Sequence, residues 1–129
     1  MIKSGDYQYI LLTDGTAELT NYTAYAEFLT VPAQIDGHAV TSIGSEAFIN
    51  SEFLSSIILP DCLTTIGIDA FCGCSFLASI TLPGSPTRIG NWTFESCPVS
   101  LNFTVVRGSW AESWCKENGK NYTYSNSID

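Results

Sequence analysis

The sequence predicts a solenoid of short stacked coils, and three observations support this fold class. Residues 43–65 and 66–88 align end to end without a gap and are identical at 11 of 23 positions. A period of 23 residues is typical of solenoids in which each coil adds one short strand to a continuous core. Only 14% of the residues are charged although 45% are hydrophobic, and this balance suits strands and turns better than long exposed helices.

The N-terminal residues 7–20 predict a β-hairpin. Asp14 and Gly15 form a two-residue turn signal between two apolar stretches. A loop of this length would pair Ile10 with Leu19. Because side chains alternate along a strand, four residues would then share the buried face of the hairpin: Ile10, Leu12, Ala17 and Leu19.

The first coil of the solenoid contains an insertion. Residues 29–32, LTVP, match the strand sequence IILP at 57–60 and predict the first solenoid strand. From the proline that ends each strand to the next repeated isoleucine there are six residues in the later coils but eleven in the first. We therefore predict five inserted residues, with their turn at Asp36 and Gly37.

A third, weaker copy of the repeat begins at Ile89. Apolar residues remain at its strand positions, Phe103 and Val105. Terminal repeats lose similarity because one of their sides no longer meets a neighbouring coil. The third copy matches the second at five positions: Ile89, Gly90, Phe94, Cys97 and Thr104.

The stretch from Ser109 to Asn118 predicts a helix that covers the last coil. Its first residue and Glu112 have the spacing of a capping box, and Gly119 is a typical C-terminal stop. Residues 121–124, NYTY, predict a short strand, and residues 125–129 are expected to fray. The apolar face of the helix has four members: Trp110, Ala111, Trp114 and Cys115.

Stacking places each residue about 4.8 Å from its equivalent in the next coil, so equivalent apolar residues should form buried ladders. We expect Gly44, Gly67 and Gly90 to lie where a Cβ would clash or where φ is positive. The predicted core ladders are Ile43, Ile66 and Ile89; Phe48, Phe71 and Phe94; Phe53, Phe76 and Val99; Ile57, Ile80 and Phe103; and Leu59, Leu82 and Val105.

The repeat IGIDAFCGCSFLASITLP, at residues 66–83, resembles that of the BspA-like leucine-rich-repeat family, whose pattern is I-G-x-x-A-F-x-x-C-x-x-L-x-x-I-x-L-P. Three other segments resemble the same family: Y…DGTA…Y at 9–25, IDGxxV at 35–40 and a closing G-S-x-A helix at 108–114. The resemblance covers nearly the whole chain. It departs at His38, at Pro86 and in the weak third copy.

This resemblance implies a leucine-rich-repeat solenoid of short parallel β-strands with short helical or irregular returns, an N-terminal β-hairpin cap and a C-terminal helix cap. It implies a secreted or surface protein of a bacterium, or of certain protists, that binds host or matrix proteins or other cells. We predict no enzymatic activity and no cofactor. The predicted single domain, 1–129, divides into a hairpin cap at 1–28, coils at 29–106, and a capping helix and tail at 107–129.

The net charge of −8 argues against a nucleic acid or an anionic membrane as ligand, because both require a basic surface. The sequence contains no run of 18 apolar residues, so we predict no membrane insertion. The N-terminus lacks the pattern of a signal peptide. We therefore expect the chain to be a segment of a longer precursor that is secreted or displayed on the cell surface.

Side chains with possible chemistry are few. His38 is the only histidine, so any catalytic triad would have to use it, and we interpret it as a polar loop residue. Five irregularly spaced cysteines are a poor disulfide framework. Cys74 and Cys97 occupy equivalent positions and could form a redox or metal pair. We favour two small inward-facing apolar side chains, and we expect Cys115 to be structural.

Two further patterns could indicate ligand or glycan sites, and each also has an interpretation without a function. Glu46 and Asp69 are equivalent and could begin a calcium site, but Trp92 takes the third position and we favour a solvated edge. Four N-x-T sequons would suggest glycans in a eukaryotic secreted protein. We favour a bacterial source, in which they carry no such meaning; they begin at Asn21, Asn91, Asn102 and Asn121.

The outward positions of the predicted strands remain as a candidate partner-binding face. They are small and uncharged: Thr30, Ser56, Ile58, Ser79, Thr81, Asn102 and Thr104. We favour a non-catalytic recognition or adhesion module that binds a host, matrix or cell-surface protein. The alternative is a structural spacer within a larger extracellular protein that has no binding activity of its own.

Overall fold

The computed structural model describes residues 1–85 and 87–125, and over these residues the chain forms a parallel β-solenoid. The predicted solenoid with an N-terminal hairpin and a C-terminal helix is confirmed. The elements in chain order are β1 (Ile2–Ser4), β2 (Tyr7–Leu11), β3 (Ala17–Tyr22), β4 (Phe28–Thr30), β5 (Gln34–Ile35), β6 (His38–Ile43), β7 (Ser56–Ile58), β8 (Thr65–Ile66), β9 (Ser79–Thr81), β10 (Arg88–Ile89), β11 (Asn102–Val105), α1 (Trp110–Glu117) and β12 (Asn121–Tyr124).

The strands form two sheets on opposite sides of the core. Sheet A has the order β1-β2-β3-β6-β8-β10, with β5 paired to β6. Its first three strands are antiparallel, and from β3 onward the main path is parallel. Sheet B has the order β4-β7-β9-β11-β12 and is parallel throughout. Each coil therefore contributes one strand to each sheet.

The hairpin forms, but its predicted register is wrong by one residue. We expected Ile10 opposite Leu19, whereas the structure pairs Tyr9 with Leu19 and Leu11 with Ala17. Tyr9 is consequently buried at 2% exposure, and Ile10 lies on the opposite face. The N-terminal strand β1, which pairs with β2, was not predicted.

The register differs because the hairpin loop has three residues instead of two. The Gly15 N–H donates to the Leu12 carbonyl at 2.9 Å, and the Leu12 N–H donates to the Thr16 carbonyl at 2.8 Å. Gly15 has a φ of +84°. It is therefore the left-handed residue that follows a type I turn and forms a bulge in three-residue hairpin loops. Asp14 supports the loop by accepting from the Thr16 backbone N–H and hydroxyl.

Equivalent phenylalanines form a stack along the core. The Phe48 and Phe71 ring centroids are 5.2 Å apart, and those of Phe71 and Phe94 are 5.7 Å apart, with near-parallel planes in both pairs. Other rings close the stack at its two ends. Tyr22 lies 5.6 Å from Phe48, and Trp114 lies 6.0 Å from Phe94. The predicted phenylalanine ladder is therefore confirmed.

The two strand ladders are also buried, with exposures of 0–3%: Ile57, Ile80, Phe103, Leu59, Leu82 and Val105. The predicted ladder at 53, 76 and 99 is wrong, because Phe76 is 66% exposed and Val99 is 98% exposed. The neighbouring Leu54 and Leu77 are fully buried instead. In both turns the leucine fills the core, whereas Phe76 is exposed and Phe53 is only partly buried at the edge of the core.

The repeated glycines occupy places where the coils approach most closely. None of the three has a positive φ, so close approach explains them. A Cβ on Gly67 would lie 2.6 Å from the Ser45 nitrogen, and one on Gly90 would lie 2.7 Å from the Ile68 nitrogen. Distances below 3.0 Å to backbone atoms leave no room for a methyl group.

The coil geometry also requires left-handed backbone at two equivalent positions of every repeat. These residues have φ between +57° and +77°: Glu46, Asp69 and Trp92 at one position, and Asn50, Gly73 and Ser96 at the other. Left-handed backbone in a non-glycine residue often marks a functional site. Here the recurrence at the same place in each coil shows that it belongs to the repeat.

The C-terminal helix caps the last coil as predicted. The Ser109 hydroxyl accepts from the Glu112 N–H at 3.3 Å, and the Glu112 carboxylate accepts from the Gly108 N–H at 2.7 Å. Gly119 follows the helix with a φ of +64°. The predicted strand after the helix is confirmed as β12. The predicted fraying concerns residues that lie, apart from Ser125, outside the described part of the chain.

Candidate partner-binding face

The outer surface of sheet B consists of two straight columns of side chains, which together we call the sheet B face. The strand registers align one column as Thr30, Ile58, Thr81, Thr104 and Thr123. The second column is Phe28, Ser56, Ser79, Asn102 and Asn121. All seven residues that were predicted from the sequence lie on this face. Their role in binding remains a prediction.

Burial of the intervening residues fixes the direction of these side chains. Ile57 and Ile80 are fully buried and Phe103 is 1% exposed, so each packs into the core. Because strand side chains alternate, the residues on either side of them must face outward. Sheet B places neighbouring members of each column about 4.8 Å apart, and the result is a regular array of side chains.

The sheet B face is uncharged in every position. It offers hydroxyl and amide groups in most places and two apolar side chains, Phe28 at 70% and Ile58 at 45% exposure. The Asn102 amide donates to the Thr123 hydroxyl at 2.9 Å, and the Asn121 amide donates to the Val99 carbonyl at 2.9 Å. These bonds hold both amides in place, so their remaining hydrogen-bonding groups are presented in fixed positions.

A shallow groove borders this face where the strands end. Its volume is about 360 Å³. Three of its lining residues belong to the sheet B face, and the others follow the strands: Thr30, Ile58, Thr81, Val31, Pro32, Ala33, Leu59, Pro60 and Asp61. The groove gives the otherwise flat face a concave edge that an apolar side chain of a partner could enter.

The sequence did not identify three members of the face. Phe28 begins β4 one residue before the predicted strand, and Asn121 and Thr123 lie on β12 beyond the last recognised coil. A signal for the last two was available, since Asn121-Tyr-Thr123 repeats the Asn-aromatic-Thr sequence of β11. Their spacing of 19 residues, instead of 23, obscured this match.

The other candidate residues make contacts within the fold. The prediction that His38 is a loop residue is wrong, because it begins β6 opposite Ile35; its Nδ1 is 2.9 Å from the Gly15 carbonyl oxygen. Cys74 and Cys97 each direct a thiol at a core carbonyl, those of Phe48 and Phe71, at 3.2 Å. Burial raises the pKa of the Cys74 thiol to about 12 and that of Cys97 to about 11. Neither thiol is therefore activated as a nucleophile.

The remaining cysteine and carboxylate predictions concern redox and metal chemistry. All five cysteines are free thiols, and Cys115 is fully buried in α1. Within residues 1–85 and 87–125, no group of three or more histidine, cysteine or acidic side chains is placed to hold a metal ion. Over the same residues, no helix is long and apolar enough to cross a membrane.

Solved structures of bacterial proteins resemble this fold. A leucine-rich-repeat protein of T. pallidum superposes with a TM-score of 0.72 at 30% identity, over 78% of this chain and 50% of that chain. A leucine-rich cell surface protein of Faecalibacterium prausnitzii superposes with a TM-score of 0.60 at 29% identity, over 95% of this chain and 29% of that chain. A leucine-rich-repeat protein of Bacteroides capillosus superposes with a TM-score of 0.59 at 25% identity, over 81% of this chain and 96% of that chain.

The fold and these likenesses define the protein as a leucine-rich-repeat solenoid. The sequence matches the family described as the BspA type leucine-rich repeat region, in six copies over residues 34–110. The chain therefore belongs to the BspA-type leucine-rich-repeat family. It spans half the length of the T. pallidum protein and under a third of the F. prausnitzii protein. Among proteins with curated descriptions, none matches the sequence.

Proposed function

We propose that this domain is a non-catalytic protein-recognition module of a secreted or cell-surface bacterial protein, and that the sheet B face is its binding surface. One observation carries the proposal: the face is a continuous, uncharged array with two exposed apolar side chains, Phe28 and Ile58. Such a surface can bury apolar area and pair hydrogen bonds without the cost of removing charges from water. The likeness to a cell surface protein supports the location.

The proposed partner is a host, matrix or cell-surface protein with a matching neutral surface. Apolar contact would be centred on Phe28 and Ile58, because exposed aromatic and aliphatic residues supply most of the energy of an interface. The hydroxyl and amide columns would contribute orientation and specificity. The net charge of −8 arises from residues outside the two columns, including Asp61 in the bordering groove, and would repel acidic partners at a distance.

Introducing two arginines into the sheet B face tests this proposal. The double substitution Thr81→Arg and Thr104→Arg places two charges in the middle of the array, where a partner would have to desolvate them. We expect binding to purified matrix proteins and to intact host cells to fall at least about tenfold, the effect of roughly 1.4 kcal/mol. Thermal unfolding of the variant should match that of the wild-type protein.

The matched control has the same change in charge at exposed residues outside the face, Ser45→Arg and Ser113→Arg. This control should bind as the wild-type protein does. A structural spacer would bind none of the tested proteins or cells, whichever variant is used. Equal loss of binding in both double variants would indicate a general charge effect and would contradict the assignment of the sheet B face.

A further inference from the structure

The coils are joined by a regular set of backbone hydrogen bonds outside the two sheets. At each junction, three alternate N–H groups of one coil donate to three alternate carbonyls of the next. At the first junction the pairs are Glu46 to Ile68, Phe48 to Ala70 and Asn50 to Cys72, at 3.1, 2.8 and 2.7 Å. At the second they are Asp69 to Asn91, Phe71 to Thr93 and Gly73 to Glu95, at 3.2, 3.0 and 2.9 Å.

The last coil has the same three donors, but no coil follows it among the described residues. The equivalent N–H groups belong to Trp92, Phe94 and Ser96, and we call them the amide row. None of the three meets a backbone acceptor within residues 1–85 and 87–125. The backbone that carries them has the geometry of the earlier coils, with φ of +57° at Trp92 and +62° at Ser96. The amide row is therefore preorganised to donate.

Two members of the amide row, Trp92 and Phe94, border a recess of about 270 Å³. Trp92 and Phe94 lie on one side of this recess, and the end of α1 and the residues after it line the other side, through Trp114, Asn118 and Lys120. Trp92 is 62% exposed, so the recess is open at its outer edge. Lys120 contributes a positive charge, and Glu95 contributes a negative one.

We propose that the amide row binds a short backbone segment of a partner polypeptide, which takes the place of the missing coil. The two inner junctions show which ligand fits: alternate backbone carbonyls along one edge of a chain, without any N–H group on that edge. A single anion would meet donors that point in parallel and do not converge on one point. This site lies apart from the sheet B face and would recognise backbone instead of side chains.

A second copy of the chain is excluded as the occupant by the rings that close the core. The N-terminal end does offer the complementary carbonyls, on residues 45, 47 and 49, which accept no backbone hydrogen bond within the described residues. However, Tyr22 covers Phe48 at that end and Trp114 covers Phe94 at the other. Two rings would stand between the copies, and the hydrogen bonds of about 3 Å could not form.

The probe for this site is a synthetic peptide that copies residues 67–73 with both ends blocked. It presents the carbonyls that occupy the equivalent site inside the solenoid. The peptide carries Phe71→Ala, because Trp114 occupies the space of that ring, and Cys72→Ser, to prevent oxidation. Added to the ¹⁵N-labelled protein, it should shift the amide resonances of Trp92, Phe94 and Ser96 in a saturable manner.

Replacing a single backbone amide by an ester removes one N–H and leaves the side chain unchanged. An ester at Phe94 should weaken peptide binding about fivefold, the value of one hydrogen bond, without lowering the thermal stability. The matched control is an ester at Phe71, whose N–H donates to the Thr93 carbonyl at 3.0 Å. That variant should melt at a lower temperature and, where folded, bind the peptide normally.

Two modified peptides distinguish this site from ordinary strand addition. N-methylation at the residues copied from Asp69 and Gly73 blocks donors on the far edge of the peptide, and binding should persist. Thioamides at the residues copied from Ile68 and Ala70 weaken the acceptors, and binding should be lost. The proposal is overturned by an absence of shifts at the highest soluble peptide concentration, by shifts confined to β12, or by an ester at Phe94 that leaves the affinity unchanged.

Discussion

Phe48 and Phe71 stack with ring centroids 5.2 Å apart and planes within 9° of parallel, across the junction of two coils. Phe94 continues the stack at 5.7 Å and 3°. The distance between the rings slightly exceeds the spacing of parallel strands, about 4.8 Å. One aromatic pair therefore fills each junction, and the coils depend on one another for a complete core.

The middle ring of the stack should dominate the stability. Phe71→Ala removes a fully buried side chain and should lower the free energy of unfolding by about 3–5 kcal/mol. Phe76→Ala is the matched control, because that side chain is 66% exposed and should cost less than about 0.5 kcal/mol. Urea unfolding of both variants measures the difference. Equal effects would contradict the assignment of only Phe71 to the core.

Close approach of the coils predicts the effect of a single methyl group. Gly67→Ala places a Cβ 2.6 Å from the Ser45 nitrogen, and the coils must separate to admit it. We expect a loss of about 1–3 kcal/mol in the free energy of unfolding. Gly84→Ala is the control, since its Cβ would meet only the Val106 side chain at 3.5 Å. A Gly67→Ala protein as stable as this control would be inconsistent with the packing.

Left-handed backbone predicts a stabilising substitution. Glu46 has a φ of +61°, which costs an L-residue about 1–2 kcal/mol, whereas glycine adopts it freely. Glu46→Gly should therefore raise the free energy of unfolding by up to about 1 kcal/mol, after the entropic cost of glycine is deducted. Ser45→Gly, at the preceding residue without a positive φ, should lower it. Calorimetric melting of the two variants decides the sign.

The helix cap should weaken in acid. Hydrogen bonds from the Tyr124 hydroxyl at 2.6 Å and the Gly108 N–H at 2.7 Å, with Lys116 nearby, lower the pKa of Glu112 to about 2. Because the folded protein binds this proton less tightly than the unfolded chain does, the stabilisation is complete above pH 4.5, the ordinary pKa of this carboxyl group, and declines as the pH falls toward 2.

Glu112→Gln tests this pH dependence. The variant should be less stable than the wild-type protein at pH 7, and the two melting temperatures should converge between pH 4.5 and about pH 2. Glu117→Gln, at an exposed position of the same helix, provides the control for a change of charge alone. A difference at Glu112 that stays constant over this range would show that the carboxylate does not carry the effect.

The thiols should differ in reactivity. Cys62 is exposed, whereas Cys74 is fully buried and burial raises its pKa to about 12. A disulfide reagent at pH 8 should therefore modify Cys62 in the folded protein and reach Cys74 only after unfolding. Cys62→Ser should abolish the fast reaction, and mass spectrometry locates the label. Rapid labelling of Cys74 would indicate an opening of the core that the structure does not contain.

The sequence predicted the features that depend on the repeat. Residues 23 apart occupy equivalent places, so identities such as Phe48, Phe71 and Phe94 translated directly into stacked pairs. For the repeated glycines the sequence left close approach and a positive φ as alternatives, and the structure shows close approach. The outward direction of Ile58 and Thr81 was predicted from the alternation of side chains along each strand.

The predictions that were wrong concern local geometry that the repeat does not specify. Equivalence does not determine which of two adjacent apolar residues faces the core, and Leu77 fills it where Phe76 was expected. The hairpin register depended on one loop residue, which Asp14 and Gly15 do not reveal by themselves. The amide row could not be predicted either, because it depends on the path that the chain takes after the last coil.

Site-specific photocrosslinking tests the central claim, that the sheet B face binds the partner. A photoreactive phenylalanine analogue is placed at Thr81, at Thr104 or at the control position Ser45, and each protein is illuminated on intact host cells. Binding through the sheet B face predicts one crosslinked partner from positions 81 and 104 and none from position 45. Crosslinking from position 45 alone, or the same yield from all three positions, would contradict it.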